Sequence, residues 1–282
     1  MSGAHTWRGQ RVAFLTQHGK EAVVGPLLRD AFGVEVERVT GVDTDTLGTF
    51  TREVPRAGTQ LEAARRKAGL ALERSGLALG LGSEGAFGPG PLGWVAWDVE
   101  VLVWLDAARG LEVVGTAHGP AQHAHATAST WRDVEAFAAR AGFPAHALVM
   151  RPDGEDGAPV QKGLVDAAAL RATFDASLAA SRTARVFLEN DLRAHVNPTR
   201  RSVIAAAGRD LVERLQRCCP RCAAPGFGVV ARLPGLACRE CGAPTPEARG
   251  AQLRCVACAF CVEEAWTPDA GADPARCPAC NP

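Results

Sequence analysis

Ten cysteines lie between Cys218 and Cys280, and the first 217 residues have none. Eight of them form four Cys-x-x-Cys pairs: Cys219/Cys222, Cys238/Cys241, Cys255/Cys258 and Cys277/Cys280. A two-residue spacer lets both thiolates of a pair reach one metal ion from a single turn. Segments of 15 and 18 residues separate the pairs within successive couples, a spacing typical of four-cysteine zinc sites. These eight residues are therefore read as ligands of two Zn²⁺ ions. The expected connectivity is sequential, first pair with second and third with fourth. An interleaved arrangement of first with third is the alternative. Four thiolates per ion leave no open position, which makes the metals structural rather than catalytic. Disulfides are the competing chemistry. The cysteine-free remainder, and an N-terminal stretch (Met1–Gln10) with no apolar export segment, favour thiolates and a cytoplasmic setting. Cys218 and Cys261 are left over. Cys258 and Cys261 would also form a valid pair, but spectator thiols are the plainer reading.

Outside the cysteine region three polar clusters fall at the ends of expected strands, where open α/β sheets place their ligands. The first is Thr16-Gln17-His18-Gly19-Lys20, between a strand and a helix. Its glycine, helix N-terminus and ammonium group suit an anion. The second is Ser83-Glu84-Gly85, in which a carboxylate leaves a buried strand. The third runs from Glu189 to Arg200 and holds Glu189, Asp191, Arg193, His195 and Arg200 within twelve residues. Extended backbone would put Glu189, Asp191 and Arg193 on one face, where two carboxylates repel unless a cation, Arg193 or Mg²⁺, lies between them. Arg200, in the first turn of a helix, opposes the helix dipole and so needs an acidic or phosphate partner. His123 and His125 read as solvated loop residues.

The elements that position these groups follow from hydrophobic period and punctuation. Strands are expected at Arg11–Thr16, Val34–Val39, Leu77–Leu81, Trp94–Trp97, Glu100–Asp106, Leu111–Thr116, His146–Met150 and Arg185–Leu188. Helices are expected from Lys20 to Phe32, after the capping box Thr59–Glu62, after Thr130 with Asp133, after Asp166, and from Thr199 to Arg217. The segments Val42–Arg52 and Gly82–Pro91 read as loops, the latter from its glycines and prolines. The fold class is α/β: a mixed sheet with flanking helices and an antiparallel meander over residues 1–216. A small tandem zinc-ribbon domain follows over 217–282. The ribbon has too few large apolar side chains to pack a core without metal.

Composition narrows the function. Lys+Arg and Asp+Glu both number 31, and Cys218–Pro282 holds six Arg against six acidic residues, so no basic surplus marks a nucleic-acid surface. The longest apolar stretch, Trp94–Leu105, is cut by Asp98 and Glu100 and cannot span a membrane. Only three lysines stand among the basic residues, Lys20, Lys67 and Lys162. Where arginine is the default cation, a surviving lysine hints that a compact ammonium is wanted.

The segments TQHGKE (16–21), LGTFT (47–51), LEAARRKA (61–68), SEGAFGP (83–89), NDLRAHVNPTR (190–200), CPRCAAPGFGVV (219–230) and CxxCGAPT (238–245) together resemble an uncharacterised bacterial family, domain of unknown function 6671. The resemblance implies no established activity. More distantly, Thr16/His18/Lys20, Lys67-Ala68 and Glu84-Gly85 follow the order of phosphate-binding features in inosine/xanthosine triphosphate pyrophosphatases. That similarity implies Lys20 and Lys67 as phosphate clamps. The functional expectation is a metal-dependent nucleotide or phosphate-ester hydrolase. Glu84, Glu189, Asp191, Arg193 and His195 would supply the chemistry with Mg²⁺ or Mn²⁺, and Thr16, His18, Lys20, Lys67, Ser83 and Arg200 would hold a nucleotide or phosphorylated small molecule. The alternative is a non-catalytic sensor that docks a protein partner through its ribbons.

Overall fold

The computed structural model describes residues 6–41, 58–90, 93, 95–266 and 271–282. The loop expected at Val42–Arg52 lies outside them. Strands β1 (Arg11–Leu15), β2 (Glu35–Val39), β3 (Leu79–Pro89), β4 (Ala96–Asp106) and β5 (Leu111–Pro120) form one mixed sheet in the order β2-β1-β3-β4-β5. The first three run parallel; β3-β4-β5 is the antiparallel meander. Helices α1 (Glu21–Phe32) and α5 (Pro198–Gln216) cover one face, with Val24, Leu28, Ile204 and Leu211 packed on Phe14, Leu81, Leu102 and Trp104. The other face belongs to α2 (Gln60–Ser75), whose Ala64 and Ala68 meet Val101 and Val103. The capping box of Thr59 and Glu62 starts α2, and Gly33 and Gly76 close α1 and α2 in the left-handed conformation, as the sequence implied.

Two expectations for this sheet fail. Gly82–Pro89 is strand, not loop: β3 continues through it, paired residue for residue with β4. The glycines are there for close approach. A β-carbon on Gly82 would stand 2.1 Å from the Ala64 carbonyl oxygen, and one on Gly80 would stand 2.7 Å from that of Ala68. Glycine in a strand interior marks such an approach of another backbone. Likewise the two strands expected at Trp94–Trp97 and Glu100–Asp106 merge into β4, because the polar positions that seemed to divide them point to one face of a continuous strand.

A second, antiparallel sheet has the order β6-β9-β7-β8, from β6 (His125–Ala128), β7 (Leu148–Pro152), β8 (Gln161–Leu164) and β9 (Val186–Asn190). It has its own core with α3 (Trp131–Arg140) and α4 (Ala167–Ala180), built on Phe137, Leu148, Met150, Phe174 and Leu188. Strands β6 and β8 have four residues each and little apolar alternation, so they are defined by their neighbours rather than by their own sequence. His125, expected in a loop, is in β6 and stacks on Phe187.

Val203, Ala207, Leu211 and Leu215 form the buried stripe of α5, which runs directly into the cysteine region. There β10 (Gly228–Pro234), β11 (Ala248–Arg254) and β12 (Cys261–Ala265) make a three-stranded antiparallel sheet. Backbone bonds from Gly226 N to Arg214 O and from Phe227 N to Arg217 O tie it to the end of α5. Among the described residues no helix is long and apolar enough to cross a membrane.

Candidate functional site

The eight paired cysteines form two tetrads, Cys219/Cys222/Cys255/Cys258 and Cys238/Cys241/Cys277/Cys280, with the four sulfurs of each within 4.8 Å of one another. The expected sequential pairing is therefore corrected: the knots interleave. Strand length explains this. β10 carries the chain away from the first pair over seven residues, roughly 20 Å of strand, before the second pair is reached. β11 then returns antiparallel, with Arg254 opposite Gly228, and delivers Cys255 to Cys222. The C-terminal tail, bridged at Cys238 and Ala272, brings the last pair to the second.

Sulfur separations of 3.8 Å (Cys219–Cys258), 3.6 Å (Cys222–Cys255), 3.9 Å (Cys238–Cys280) and 3.6 Å (Cys241–Cys277) match the edges of a tetrahedron with Zn–S near 2.3 Å, which are about 3.8 Å long. They are far longer than an S–S bond, about 2.05 Å. Backbone N–H groups reinforce the thiolates: Arg221 N donates to Cys219 Sγ, and Ala257 N and Cys258 N donate to Cys255 Sγ. The residues that follow three of the pairs, Ala223, Gly242 and Ala259, have positive φ and turn each knuckle. Backbone N–H groups of Cys241 and Glu240 hold the Cys238 thiol down at about 7. Tetrahedral zinc fits both sites. Cys218 and Cys261 belong to neither tetrad.

The second constellation gathers at the ends of β1 and β3, around Glu100. Lys20 Nζ donates to Glu100 Oε2 at 3.0 Å, and Arg200 Nε donates to Glu100 Oε1 at 2.7 Å; all three side chains are almost wholly buried. Arg200 also lies over the Phe87 ring and donates to the Leu192 carbonyl oxygen. Its acidic partner, required by the helix-dipole argument, is thus Glu100. Asn197 caps α5, accepting from Arg200 N, while its own amide donates to the Asp191 carbonyl oxygen. On the other side of the β3–β4 ribbon Lys67 donates to Glu84 at 2.7 Å. The ladder sets Glu84 opposite Val101 and Glu100 opposite Gly85, so the two carboxylates leave opposite faces. Lys20, entering from the end of β1, nevertheless feels the charges of Glu84 and Lys67 as well as those of Glu100 and Arg200. Removing one partner of such a buried pair typically costs about 3–5 kcal/mol, because the other charge is stranded.

Burial lowers the Lys20 pKa from the usual lysine range. Burial also opposes the charge on Glu100, but Arg200 and Lys20 outweigh it and keep that carboxyl below its ordinary value. Asp98, two residues along β4 on the same face, is driven the other way: burial and the nearby Glu100 push it up to about 7. His18 and His195 stack with ring centroids 5.6 Å apart. Burial, with Arg200, His195, Arg193 and Lys20 around it, brings His18 down to about 3, so the ring stays neutral. Beside it opens a cleft of about 320 Å³ lined by Thr16, Gln17, His18, Arg38, Val39, Thr40 and Gly41.

The structure therefore joins the first cluster to part of the third: His18 meets His195, and Lys20 and Arg200 share Glu100. Ser83 and Glu84 are buried in β3. Glu189 and Asp191 have arginine partners of their own. Glu189 accepts from Arg151 across the second sheet. Asp191 accepts from Arg193 at 2.6 Å and from Gly163 N. The extended run expected beyond Glu189 ends at Asn190, and the chain turns where Arg193 N bonds back to Asp191. Among the described residues Glu84, Glu189 and Asp191 form no three-ligand cluster; of the two cations expected beside Asp191, Arg193 is the one paired with it, while Glu189 takes Arg151 instead.

A family model described as Domain of unknown function (DUF6671) matches residues 67–282. The chain belongs to that family. The match takes in Lys67, β3, β4, α5 and both zinc knots, and leaves the Lys20 turn outside. No curated protein and no solved structure matches the chain. Asp98 and Glu100 are the members of this buried cluster that motif reasoning missed in this DUF6671 chain. Their signal was visible: two carboxylates at i and i+2 interrupt an otherwise apolar strand on one face.

Proposed function

We propose that this DUF6671 chain is a metal-dependent hydrolase of nucleotides or phosphate esters, with two structural zinc ions that hold its C-terminal ribbon. The observation that carries this reading is the pair of cations, Lys20 and Arg200, held on one buried carboxylate at the strand ends. Buried cations neutralised by carboxylates can be transferred to an incoming anion. A phosphate group would compete for Lys20 and Arg200, with the hydroxyls of Thr16 and Ser83 as further donors, and Lys67 would add positive charge from across the sheet. The carboxylate it displaces, Glu100, would then be free to hold a divalent cation, and Glu84, across the sheet, would be the candidate to accept a proton from water. Neutral His18 offers an N–H without needing to be protonated, and His195 and Arg193 would flank it. Glu189 and Asp191 serve as anchors for Arg151 and Arg193. A divalent cation, Mg²⁺ or Mn²⁺, would neutralise charge on the phosphate oxygens, and the cluster's carboxylates supply the hard oxygen donors that such ions take. A module of free thiols suits a reducing compartment, so the cytoplasm is the proposed location.

The test is a panel of nucleotides and phosphate esters with Mg²⁺ or Mn²⁺, read by phosphate and pyrophosphate release. Turnover that falls about a hundredfold or more in Lys20→Ala is expected; no release from any substrate by the parent protein would refute the reading. The second reading, a non-catalytic sensor that docks a protein through its ribbons, draws on the exposed Val230, Val262 and Trp266 of the cysteine region. Phosphate-ligand binding without turnover would favour it.

A further inference from the structure

Asp98 is completely buried, and neither of its carboxylate oxygens has a hydrogen-bond partner. Among the described residues it is the one buried carboxylate orphaned at both oxygens. A buried carboxyl group costs free energy unless something supplies donors or a cation. Among the described residues none donates to it, although the charges of Arg200 and Lys20 reach it. Across the ladder Asp98 faces Phe87 on β3 and Gly119 on β5, an apolar ring and a residue with no side chain. On α5, Arg200 is committed to Glu100 and to the Leu192 carbonyl oxygen, and Val203 lies over Gly119. Glu100, two residues away on the same face, is about 6–7 Å along the strand, close enough for both carboxylates to reach one ion.

Charge points the same way. With Asp98 ionised, the cluster holds three carboxylates (Glu84, Asp98, Glu100) against three cations (Lys20, Lys67, Arg200). Glu100 already holds Lys20 and Arg200, and Glu84 holds Lys67, so each of these cations is paired with another carboxylate. The missing partner of Asp98 is therefore itself a cation that takes hard oxygen ligands. Mg²⁺ and Mn²⁺ meet those conditions: such ions are commonly held by one or two carboxylates, with water and substrate phosphate completing the octahedron. Two protein ligands are enough, so the absence of a third carboxylate is no obstacle.

We propose that Asp98, together with Glu100, is the ligand pair of a Mg²⁺ or Mn²⁺ ion at the buried end of this cluster. The assignment of phosphate oxygens to its open positions rests on the hydrolase reading; the ion site does not. The experiment titrates the full-length, zinc-loaded protein with Mn²⁺ and reads free Mn²⁺ by electron paramagnetic resonance. One Mn²⁺ per chain beyond the zinc is expected. Asp98→Asn, nearly the same shape, should weaken it about tenfold or more with zinc content and circular dichroism unchanged. Asp175→Asn, in a surface pair on α4, should bind as the parent does. If Asp98→Asn fails to fold, Asp98→Glu provides a second variant, with a longer reach to the same ion and an altered Mn²⁺ affinity. A parent protein that holds no Mn²⁺ beyond zinc, or an Asp98→Asn protein that binds Mn²⁺ as tightly as the parent, overturns the assignment. The two readings fail separately. Mn²⁺ bound through Asp98 with no turnover of any ester keeps the ion site and defeats the hydrolase. Turnover with Mg²⁺ or Mn²⁺, in a protein whose Asp98→Asn variant binds Mn²⁺ as tightly as the parent, keeps the hydrolase and defeats the ion site.

Discussion

Paired cysteine substitutions separate the interleaved knots from sequential ribbons by zinc count alone. In the structure Cys219 and Cys255 belong to one tetrad, and Cys219 and Cys238 to different ones. Cys219→Ser should lower the content from two zinc ions to one. Adding Cys255→Ser should leave it at one, because that site is already lost. Adding Cys238→Ser instead should remove both. The energetic contrast is large, since a structural zinc site contributes apparent binding free energy on the order of 10 kcal/mol. The second substitution within a knot should therefore cost little, and one in the other knot should cost nearly a full site. The consequences also differ in place. The first knot closes over Phe227 and Leu253 next to the end of α5, so its loss should open that junction to protease. The second fastens the C-terminal tail, and Cys277→Ser should release mainly residues beyond β12. Elemental analysis of reduced protein and limited proteolysis give the two readouts. If Cys219→Ser/Cys255→Ser loses both ions while Cys219→Ser/Cys238→Ser keeps one, the chain pairs sequentially and the strand-length argument is wrong.

Two further outcomes are expected. Gly82→Ala should lose about 1–3 kcal/mol or fail to fold, because its new methyl meets the α2 backbone at 2.1 Å. Gly69→Ala, on α2 with nothing within 4 Å, should gain about 0.5–1 kcal/mol; urea midpoints compare them, and equal effects would contradict the close-approach account of β3. The pH dependence of stability should carry the mark of His18. Its folded pKa of about 3 lies below the unfolded value near 6.5. Above pH 6.5 both states are neutral there. As pH falls from 6.5 toward 3 the unfolded chain takes up a proton that the folded one refuses, and stability drops. His18→Gln should therefore lose less melting temperature between pH 7.5 and pH 5 than the parent; parallel curves would show that His18 is not held neutral.

Local chemistry made a good part of this protein legible in its residues. Thiolate spacing identified two four-cysteine sites, and capping boxes at Thr59 and Thr130 marked where α2 and α3 begin. Helical period on Val203, Ala207, Leu211 and Leu215 marked the buried stripe of α5, and the misplaced charge of Arg200 called for the anionic partner that Glu100 turned out to be. Each of these signals is contained within a few residues. What tertiary structure decided involves backbone brought from far along the chain. The glycines of β3 look like loop until α2 lies against them. Strands β6 and β8 are too short to declare themselves without β9 and β7. Zinc connectivity depends on which way a seven-residue strand carries the next pair, since all four pairs are chemically alike. Arg193 was legible as a partner for Asp191, two residues away, but Arg151, which takes Glu189, comes to it across the sheet only on folding. Asp98 and Glu100 were visible as interruptions in an apolar run, but only the packing of α1 and α5 over β4 gives one of them two ion pairs and leaves the other without a hydrogen bond.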